Sequence, residues 1–485
     1  MNILALETST SASKAAIYSS EEGLIKVLSI PYVEGISDTI TQDAKGVLNL
    51  LINEIKEILK SDTYEIDAIS LSGIWHSLLL LDKDREPLTP IYTWADTRPA
   101  KTVAEYRRDE ELWNWFYNKT GCAIHSLYPL WKVIHLKKEE PALFKKACYI
   151  TSQLQYIFEQ LTGERVESKT IASGTGMFNI HSLDWDEDLL KFAGISPSML
   201  CELREATFYA PLKEDMAQLL GLKSGIPVII GGADGALNQV GAGALKNGIM
   251  TLSVGTSGAI RLAYDEPVLP VNRSTWCYYS LNEKRLAGAA TSGAGNCLEW
   301  FKKRVYKGLG LGYKELDEMA DKANIQTAPI FLPFLYGERN PGWQDSRQAS
   351  FMGIKGHHEI GDLFHGVLEG VLFNLYQCYK ALTEITGEPK EIRISGGIEN
   401  SPHWLQMAAD IFNRDIITSG IQHLSTVGAA ILALNALGEI TDIEKYEPGS
   451  GQKYTPNKDK SEIYQDRYRE YLYYYQMTRQ EEVTK

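Results

Sequence analysis

The N-terminal segment reads ILALETSTSASKAAIYS (residues 3–19) and places a run of small, mostly hydroxyl residues between two apolar runs. Ile3 to Glu7 and Lys14 to Ser19 predict two short strands, and Leu24 to Ile30 predicts a third. The intervening turn can aim backbone N–H groups and hydroxyls at an anion. Most such turns are only hairpins, so one turn alone is weak evidence for an anion site. A second copy of the turn elsewhere in the chain strengthens this interpretation.

That second copy reads IMTLSVGTSGAIRLA (residues 249–263) and lies about half the chain further on. Ile249 to Val254 and Ala259 to Ala263 predict strands around the turn Gly255-Thr256-Ser257-Gly258. A strand, a hydroxyl-bearing turn and a second strand in each half predict two topologically similar domains facing one cleft. We expect these domains to span residues 1–243 and 244–485, with the glycine-rich stretch Gly231 to Gly243 as the linker or hinge.

Composition restricts the function of this 485-residue chain. Lys and Arg total 49 against 62 Asp and Glu, for a net charge of −13, which argues against a dedicated nucleic-acid binder. No apolar run reaches the roughly 18 residues of a membrane span, and no basic segment follows Met1. The six cysteines contain no CxxC pair. We expect a cytoplasmic protein with reduced, mostly buried thiols, no membrane contact and no structural zinc.

Helical spacing of apolar residues predicts a helix from Thr41 to Leu59. The polar segment of residues 96–161 is also expected to be mostly helical. Ser401 can cap a helix over His403 to Phe412. The aromatic tail from Tyr464 to Lys485 predicts one surface helix without an assigned role.

A carboxylate at the end of an apolar strand marks a candidate catalytic position. The strand Ile226 to Ile230 is followed by Gly231-Gly232-Ala233-Asp234-Gly235. Ligands approach parallel sheets at this end, which would suit Asp234 for base chemistry. A helix N-cap is an equally good interpretation of this one feature. The sequence has neither a P-loop signature nor G-x-G-x-x-G, so standard nucleotide motifs are missing.

Motifs along nearly the whole chain make the sequence similar to the FGGY family of carbohydrate kinases, of the actin-like ATPase superfamily. They include both hydroxyl turns, Trp94-Ala95-Asp96-Thr97-Arg98, Gly232-Ala233-Asp234-Gly235, Gly337-Glu338-Arg339-Asn340-Pro341 and Gly396-Gly397. Within the family it most resembles gluconate kinases, through Trp75-His76-Ser77, the segment Thr120 to Lys132, and Gly255 to Ile260 followed by Arg261. Xylulose kinases share several of these segments.

The resemblance implies an α/β fold of two actin-like (ribonuclease H-like) domains, each a mixed sheet flanked by helices, with the substrates in the cleft. It implies that Asp234 is the general base that activates a terminal sugar hydroxyl toward the γ-phosphate of ATP, with Glu7 and Asp234 near Mg²⁺. The implied ATP contacts are Thr10, Ser11, Gly255, Thr256, Gly396, Gly397 and Asn400. The implied sugar contacts are Trp75, His76, Trp94, Asp96, Arg98, His125, Lys132 and Asp234.

Gluconate would give 6-phosphogluconate, and its carboxylate requires a cation, for which Lys132, His125 and Arg98 are candidates. Two departures bear on the phosphate site, because Glu7 stands where the family usually has Asp and Ser9 where it has Gly. These two departures are also compatible with a second hypothesis, in which the protein is a sugar-binding relative that has lost catalysis. A xylulose or other polyol kinase is also compatible with these motifs and, more remotely, so is a chaperone or filament ATPase. A homodimer is compatible with the sequence.

Overall fold

A computed structural model describes residues 1–60, 64–307, 310–449 and 451–478, and the chain folds as an α/β protein around two large sheets. The strands are β1 (Asn2–Thr8), β2 (Ala12–Ser19), β3 (Gly23–Pro31), β4 (Thr41–Gln42), β5 (Ala68–Gly73), β6 (Leu79–Leu81), β7 (Ile91–Tyr92), β8 (Tyr149–Thr151), β9 (Val166–Ser168), β10 (Phe178–Asn179), β11 (Asp184–Trp185), β12 (Glu202–Arg204), β13 (Tyr209–Pro211), β14 (Pro227–Ala233), β15 (Ile249–Val254), β16 (Gly258–Tyr264), β17 (Trp276–Tyr279), β18 (Arg285–Thr291), β19 (Ile330–Leu332), β20 (Ser350–Met352), β21 (Glu391–Ser395), β22 (Ile416–Thr418) and β23 (Lys453–Tyr454). The helices are α1 (Ala44–Leu59), α2 (Ala100–Arg107), α3 (Glu110–Thr120), α4 (Pro129–Glu139), α5 (Pro141–Phe144), α6 (Gln153–Thr162), α7 (Lys169–Ala172), α8 (Glu187–Ala193), α9 (Glu214–Leu220), α10 (Asp234–Gly241), α11 (Gly295–Trp300), α12 (Tyr313–Asp321), α13 (Ile360–Thr386), α14 (Pro402–Phe412), α15 (Leu424–Ala436) and α16 (Lys458–Met477).

The two sheets repeat one topology. The first has the order β13-β14-β5-β1-β2-β3, in which β1 is antiparallel to β2 and parallel to β5. The second has the order β17-β18-β16-β15-β21-β22-β23, in which β15 is antiparallel to β16 and parallel to β21. The strands predicted around both hydroxyl turns are confirmed, and each turn leaves the carboxyl end of a central strand. The division at residue 243 stays a prediction.

Helix α1 begins three residues later than the pattern predicts. Asp43 is the N-cap, and its carboxylate accepts a hydrogen bond from the Gly46 N–H at 2.8 Å. The two residues before it, Thr41 and Gln42, pair instead with β7.

Farther along, residues 96–161 are mostly helical as expected, with the short strand β8 as the exception.

The glycine-rich stretch 231–243 is not a loop linker, which corrects one half of the expectation from sequence, while its role as a hinge stays a prediction. It ends β14 and forms α10, which packs against α15. A Cβ at Gly241 would lie 2.1 Å from the Leu424 carbonyl oxygen, and a Cβ at Gly428 would lie 1.9 Å from that of Leu237. The glycines therefore let two helices cross at close range. Through this crossing, α15 from the second half of the chain also packs on β1 and β5.

The tail helix is packed rather than superficial, which is a second correction. Helix α16 buries Tyr464, Tyr468, Tyr471 and Tyr475 in the core of the second sheet, while residues 479–485 lie outside the described part. Their spacing of three and four residues places the rings on one helix face. Arg467 on the same helix forms a buried ion pair with Glu369 of α13.

Two further expectations concern the cysteines and the membrane. Five cysteines are buried and Cys148 is exposed, which confirms that the thiols are mostly buried. None of the helices in the described part combines the length and apolar character that crossing a bilayer requires.

Candidate active site

The first hydroxyl turn joins β1 to β2 and is closed by a serine. The Ser9 hydroxyl donates to the Ala12 carbonyl oxygen at 2.8 Å and accepts from the Ala12 N–H at 3.1 Å. The backbone φ of Ser9 is not positive, so this position does not require glycine. Thr10 accepts a hydrogen bond from the Trp94 indole N–H at 2.8 Å, and Ser11 is exposed beside it. The departure from the family pattern at residue 9 therefore leaves the turn intact.

Glu7 lies at the base of this turn with both carboxylate oxygens occupied. Lys14 donates to one oxygen at 2.9 Å, and the hydroxyls of Ser425 and Thr426 donate to the other at 2.6 Å each. Burial by itself would raise the pKa of Glu7, but Lys14 and the two hydroxyls hold it below its usual value. Glu7 is therefore ionised at neutral pH and fastens the turn to the start of α15.

Asp234 is the first residue of α10, directly after strand β14. Ala233 occupies the N-cap position, so the N-cap interpretation of Asp234 is wrong. The carboxylate accepts the Gly235 N–H at 2.7 Å and has no ion-pair partner among the described residues. Burial raises the pKa of Asp234 to about 6, and the nearby charge of Glu7 contributes while Arg261 opposes the shift. A carboxylate with a pKa near neutrality is suited to accept a proton.

Strand pairing brings Asp234 beside the Trp75–His76 segment. Ala233 pairs with Gly73 where β14 and β5 end together. A Cβ on Gly235 would lie 2.3 Å from the six-membered ring of Trp75, so only glycine allows the indole this close. The sequence prediction that these residues share one site is consistent with this placement.

A cluster of packed rings, called the aromatic wall below, consists of Trp75, His76, Tyr128 and Tyr278. The Trp75 indole N–H donates to the Thr170 carbonyl oxygen at 2.7 Å, and its ring lies 5.2 Å from that of Tyr278. Tyr278 and Tyr128 share a hydrogen bond of 2.8 Å between their hydroxyls, and each packs edge-on against His76. Flat apolar faces with polar rims suit the C–H faces and hydroxyls of a sugar.

His76 is held as a neutral acceptor within this wall. Its Nδ1 lies 2.7 Å from the Gly174 carbonyl oxygen, which fixes the proton on Nδ1 and leaves Nε2 as an acceptor. Burial lowers the pKa of His76 well below its usual value, and the charges of Arg339 and Lys132 lower it further. His76 can therefore accept a hydrogen bond from a substrate hydroxyl across the physiological pH range.

The three candidate cations for a carboxylate are each engaged. Arg98 makes a two-pronged ion pair with buried Asp96, at 2.8 and 2.9 Å. His125 accepts the Leu127 N–H on Nδ1 and contacts Asp345 through Nε2 at 2.9 Å. Neither is a free cation.

The third candidate, Lys132, is hydrogen-bonded and only partly charged. It is buried in α4 and donates to the Leu127 carbonyl oxygen at 2.5 Å. Burial lowers its pKa to about 7, so it is only partly charged at neutral pH.

The second hydroxyl turn meets the Gly396–Gly397 segment at the carboxyl ends of β15 and β21. Gly396 has φ +101°, and a Cβ there would lie 2.5 Å from the Val254 carbonyl oxygen. Gly255 leaves open space around it, and the exposed Asn400 donates to the Gly397 carbonyl oxygen at 3.2 Å. The implied ATP contacts of the second half, Gly255, Thr256, Gly396, Gly397 and Asn400, therefore lie at one edge of the second sheet, while Thr10 and Ser11 lie in the turn of the first sheet.

Sequence reasoning misses several residues at this site. Ser425 and Thr426 lie 418 and 419 residues from their partner Glu7, and no local pattern links them. Arg261 and Arg339 belong to motifs of the resemblance, but the motifs alone assign neither a role. The signal for Arg261 is a charged residue in an otherwise apolar strand.

The residues fit a divalent cation on chemical grounds. Burial is the main cause of the raised pKa of Asp234, and the negative charge of Glu7 adds to it. A cation near both carboxylates would reduce their mutual repulsion. The described residues contain no cluster of three or more His, Cys, Asp or Glu side chains that would hold a metal alone.

Comparison with known proteins identifies the family. The FGGY family of carbohydrate kinases matches with its N-terminal domain at residues 2–241 and its C-terminal domain at residues 250–437. The gluconokinase of Bacillus subtilis (strain 168) is 31% identical over 95% of this chain and 93% of its own length.

Solved structures give the same fold. The gluconate kinase of Lactobacillus acidophilus superposes with a TM-score of 0.91 at 29% identity, over 98% of both chains. A ligand-bound xylulose kinase of the same organism gives 0.92 at 29% identity, also over 98% of both chains.

The two-domain α/β fold and the cleft define a sugar kinase with two actin-like domains. The chain belongs to the FGGY family of carbohydrate kinases. It is an ATP-dependent phosphotransferase with an alcohol group as acceptor, which confirms the fold and the reaction class expected from the resemblance.

Proposed function

We propose that this enzyme transfers the γ-phosphoryl group of ATP to the terminal hydroxyl of D-gluconate, giving 6-phosphogluconate. The observation that carries the reaction is Asp234, a carboxylate with a pKa near 6 and without an ion-pair partner among the described residues, at the end of β14. The similarity to gluconokinases over 95% of the chain supports the choice of substrate. A reaction that consumes ATP needs a compartment that supplies it, so we propose the cytoplasm.

In this mechanism the sugar lies between Asp234 and the aromatic wall. Asp234 accepts the proton of the terminal hydroxyl as its oxygen attacks the γ-phosphorus, and ADP leaves. Trp75 packs on the C–H face of the sugar, and His76 accepts a hydrogen bond at Nε2. The Asp96–Arg98 pair and Trp94 form the rim above Thr10, where further hydroxyls can bind.

The nucleotide binds on the opposite side of the cleft. Gly255 and Thr256 approach the phosphates with their N–H groups and hydroxyl, and Gly396 and Gly397 allow the adenosine to lie close to the backbone. Thr10 and Ser11 contact the transferred phosphoryl group from the first domain. Asp234 and Glu7 are the residues that would hold Mg²⁺, which supplies charge neutralisation on the phosphates.

The raised pKa of Asp234 predicts a pH profile. The base must be ionised to act, so kcat/KM for the sugar should be level above about pH 7 and fall about tenfold per unit below about pH 6. The measurement is a coupled ADP-release assay from pH 5 to 8 at constant ionic strength. A level profile down to pH 5 would exclude Asp234, in its raised-pKa environment, as the base.

The position of phosphorylation tests the proposed reaction. Incubation with D-gluconate and MgATP, followed by ³¹P NMR of the purified product, should give a phosphate ester coupled to the two protons of C6. A phosphate on a secondary hydroxyl, or no ester at all, contradicts the proposal.

Xylulose is the second candidate substrate. It is favoured by the xylulose kinase structure, which superposes as well as the gluconate kinase at equal identity. The fold therefore does not distinguish gluconate from xylulose as the substrate. The distinction depends on the residues that contact the end of the sugar opposite the phosphorylated hydroxyl.

A further inference from the structure

We propose that Arg339, with Arg261 beside it, binds the carboxylate of the sugar acid and sets the preference for acids over neutral sugars. The proposal rests on the proposed function, in which gluconate is the acceptor. The cations first expected in this role are occupied by Asp96, by Asp345 and by a backbone carbonyl.

Arg261 lies on the face of the second sheet that looks into the cleft. It pairs with Gly288 of β18, which in turn pairs with Trp276 of β17. Residues directly opposite each other share one face, so Arg261 and Trp276 lie on the same side of the sheet. Tyr278 stacks on Trp276 with ring centroids 4.3 Å apart, which joins this face to the aromatic wall.

The guanidinium of Arg261 reaches the first domain. A Cβ on Gly235 would lie 2.9 Å from its Nη2 and 3.0 Å from its Nε, next to the edge of Trp75. Its Nε is buried without a hydrogen-bond partner, and its Nη1 makes only a long contact of 3.4 Å with the Ser253 hydroxyl. Arg261 thus borders the sugar cleft with donors left over.

Arg339 is placed at the same cleft by a hydrogen-bonded loop. Its neighbour Asn340 accepts a hydrogen bond from the Ala290 N–H at 2.9 Å and donates to the Ser274 carbonyl oxygen at 2.6 Å. The Nε of Arg339 is buried and also lacks a partner. The Trp343 N–H donates to the Arg339 carbonyl oxygen at 2.6 Å, and the Trp343 ring lies 5.4 Å from that of His125, so this loop packs beside His125. Burial is the main cause of the lowered pKa values of His76, His125 and Arg261, and the charge of Arg339 lowers all three further.

The positive charges of Arg261 and Arg339 repel each other, and the carboxylate of Asp234 offsets this repulsion on the Arg261 side. Within residues 1–60, 64–307, 310–449 and 451–478, neither Arg261 nor Arg339 takes part in an ion pair within 4 Å. A carboxylate relieves this repulsion and accepts paired hydrogen bonds from the planar fork of an arginine. A neutral polyol leaves the same donors unpaired, so the site rejects it.

The nearest competing role is contact with the transferred phosphoryl group, since Arg261 is close to Asp234. The two roles differ in what they do before ATP binds. A carboxylate site contributes to sugar-acid binding in the absence of nucleotide, whereas a phosphate contact contributes to ADP affinity and kcat.

The test measures binding of D-gluconate to the nucleotide-free enzyme by calorimetry, for wild type, Arg339→Gln, Arg339→Lys and Arg261→Gln. Arg339→Gln should weaken gluconate about 30-fold, and Arg339→Lys should recover part of the loss because it keeps the charge but not the fork. Affinity for ADP should stay within about threefold. D-Glucitol, which replaces the carboxylate by a hydroxymethyl group, is the matched neutral ligand, and the ratio of gluconate affinity to glucitol affinity should fall in Arg339→Gln. Arg414→Gln, at a partly exposed ion pair with Glu388, is the control for loss of a guanidinium.

Each outcome decides a separate point. Gluconate binding within threefold of wild type in Arg339→Gln, with wild-type thermal unfolding, overturns the inference while leaving the proposed function intact. Loss of ADP affinity with unchanged gluconate binding assigns the arginines to phosphate and also overturns it. A wild-type enzyme that phosphorylates xylulose and does not bind gluconate refutes the proposed function, and the carboxylate site with it.

Discussion

Replacing Asp234 with asparagine is expected to lower kcat by about two to four decades while sugar binding is largely kept. The change preserves the shape of the side chain and its hydrogen bond from the Gly235 N–H, but removes the proton acceptor. The remaining activity comes from positioning and charge stabilisation of the phosphoryl group. The measurement combines steady-state ADP release with sugar binding followed by tryptophan fluorescence, since Trp75 lines the cleft.

Asp265→Asn is the matched control, because Asp265 is an exposed aspartate after β16, away from the cleft, with Lys284 as its partner. Its kcat should stay near that of wild type. Turnover of Asp234→Asn within threefold of wild type would reject Asp234 as the base. Loss of both turnover and sugar binding would instead assign it to substrate positioning.

Replacing Arg467 with alanine is expected to destabilise the protein by about 3–5 kcal/mol. Arg467 and Glu369 are 4% and 0% exposed, and both carboxylate oxygens accept from the guanidinium at 2.5 Å. Burial raises the pKa of Glu369, and Arg467 opposes that shift. Truncation would leave a charged or protonated carboxyl group without its partner inside the second core. The measurement is the midpoint of urea unfolding together with its slope.

Arg469→Ala supplies the control on the same helix, because Arg469 is 75% exposed at its side chain and pairs with Asp466. Its effect should be within about 0.5 kcal/mol, as is usual for exposed pairs. Equal stabilities of the two variants would show that the buried Arg467–Glu369 pair contributes no net stability.

Local sequence patterns predict the elements that build the cleft. Short apolar runs bounded by hydroxyl and glycine turns identify β1, β2 and the strands around Gly255, because a strand buried on both faces has a continuous apolar sequence. Ser401 is expected to cap a helix, and its hydroxyl accepts from the Trp404 N–H at 3.0 Å. These features depend on residues a few positions apart, which is why one sequence reveals them.

Features that depend on long-range packing are not predictable in the same way. The glycines in residues 231–243 suggest a linker, yet Gly241 serves the crossing of α10 and α15, and Gly235 makes room for Trp75. The tyrosines of α16 show helical spacing, but their burial depends on the second sheet. A glycine can serve a flexible turn or a close helix contact, and a tyrosine can lie on the surface or in the core. The sequence alone does not say which neighbours these residues contact.

Charge partners are the least predictable part of the site. Arg98, His125 and Lys132 are candidate cations from their motifs, and the fold supplies Asp96, Asp345 and a carbonyl to them. Asp345 lies 219 residues from the Ser126 hydroxyl that it also binds. Whether a cation is free for a substrate is thus a property of the folded site and not of its motif.

The most direct test of the account compares kcat/KM for D-gluconate, D-xylulose and D-glucitol in one coupled ADP-release assay at saturating MgATP. The account predicts the highest value for gluconate, with the neutral sugars lower by several decades because the donors of Arg261 and Arg339 would be left unpaired. A higher kcat/KM for xylulose than for gluconate would contradict it.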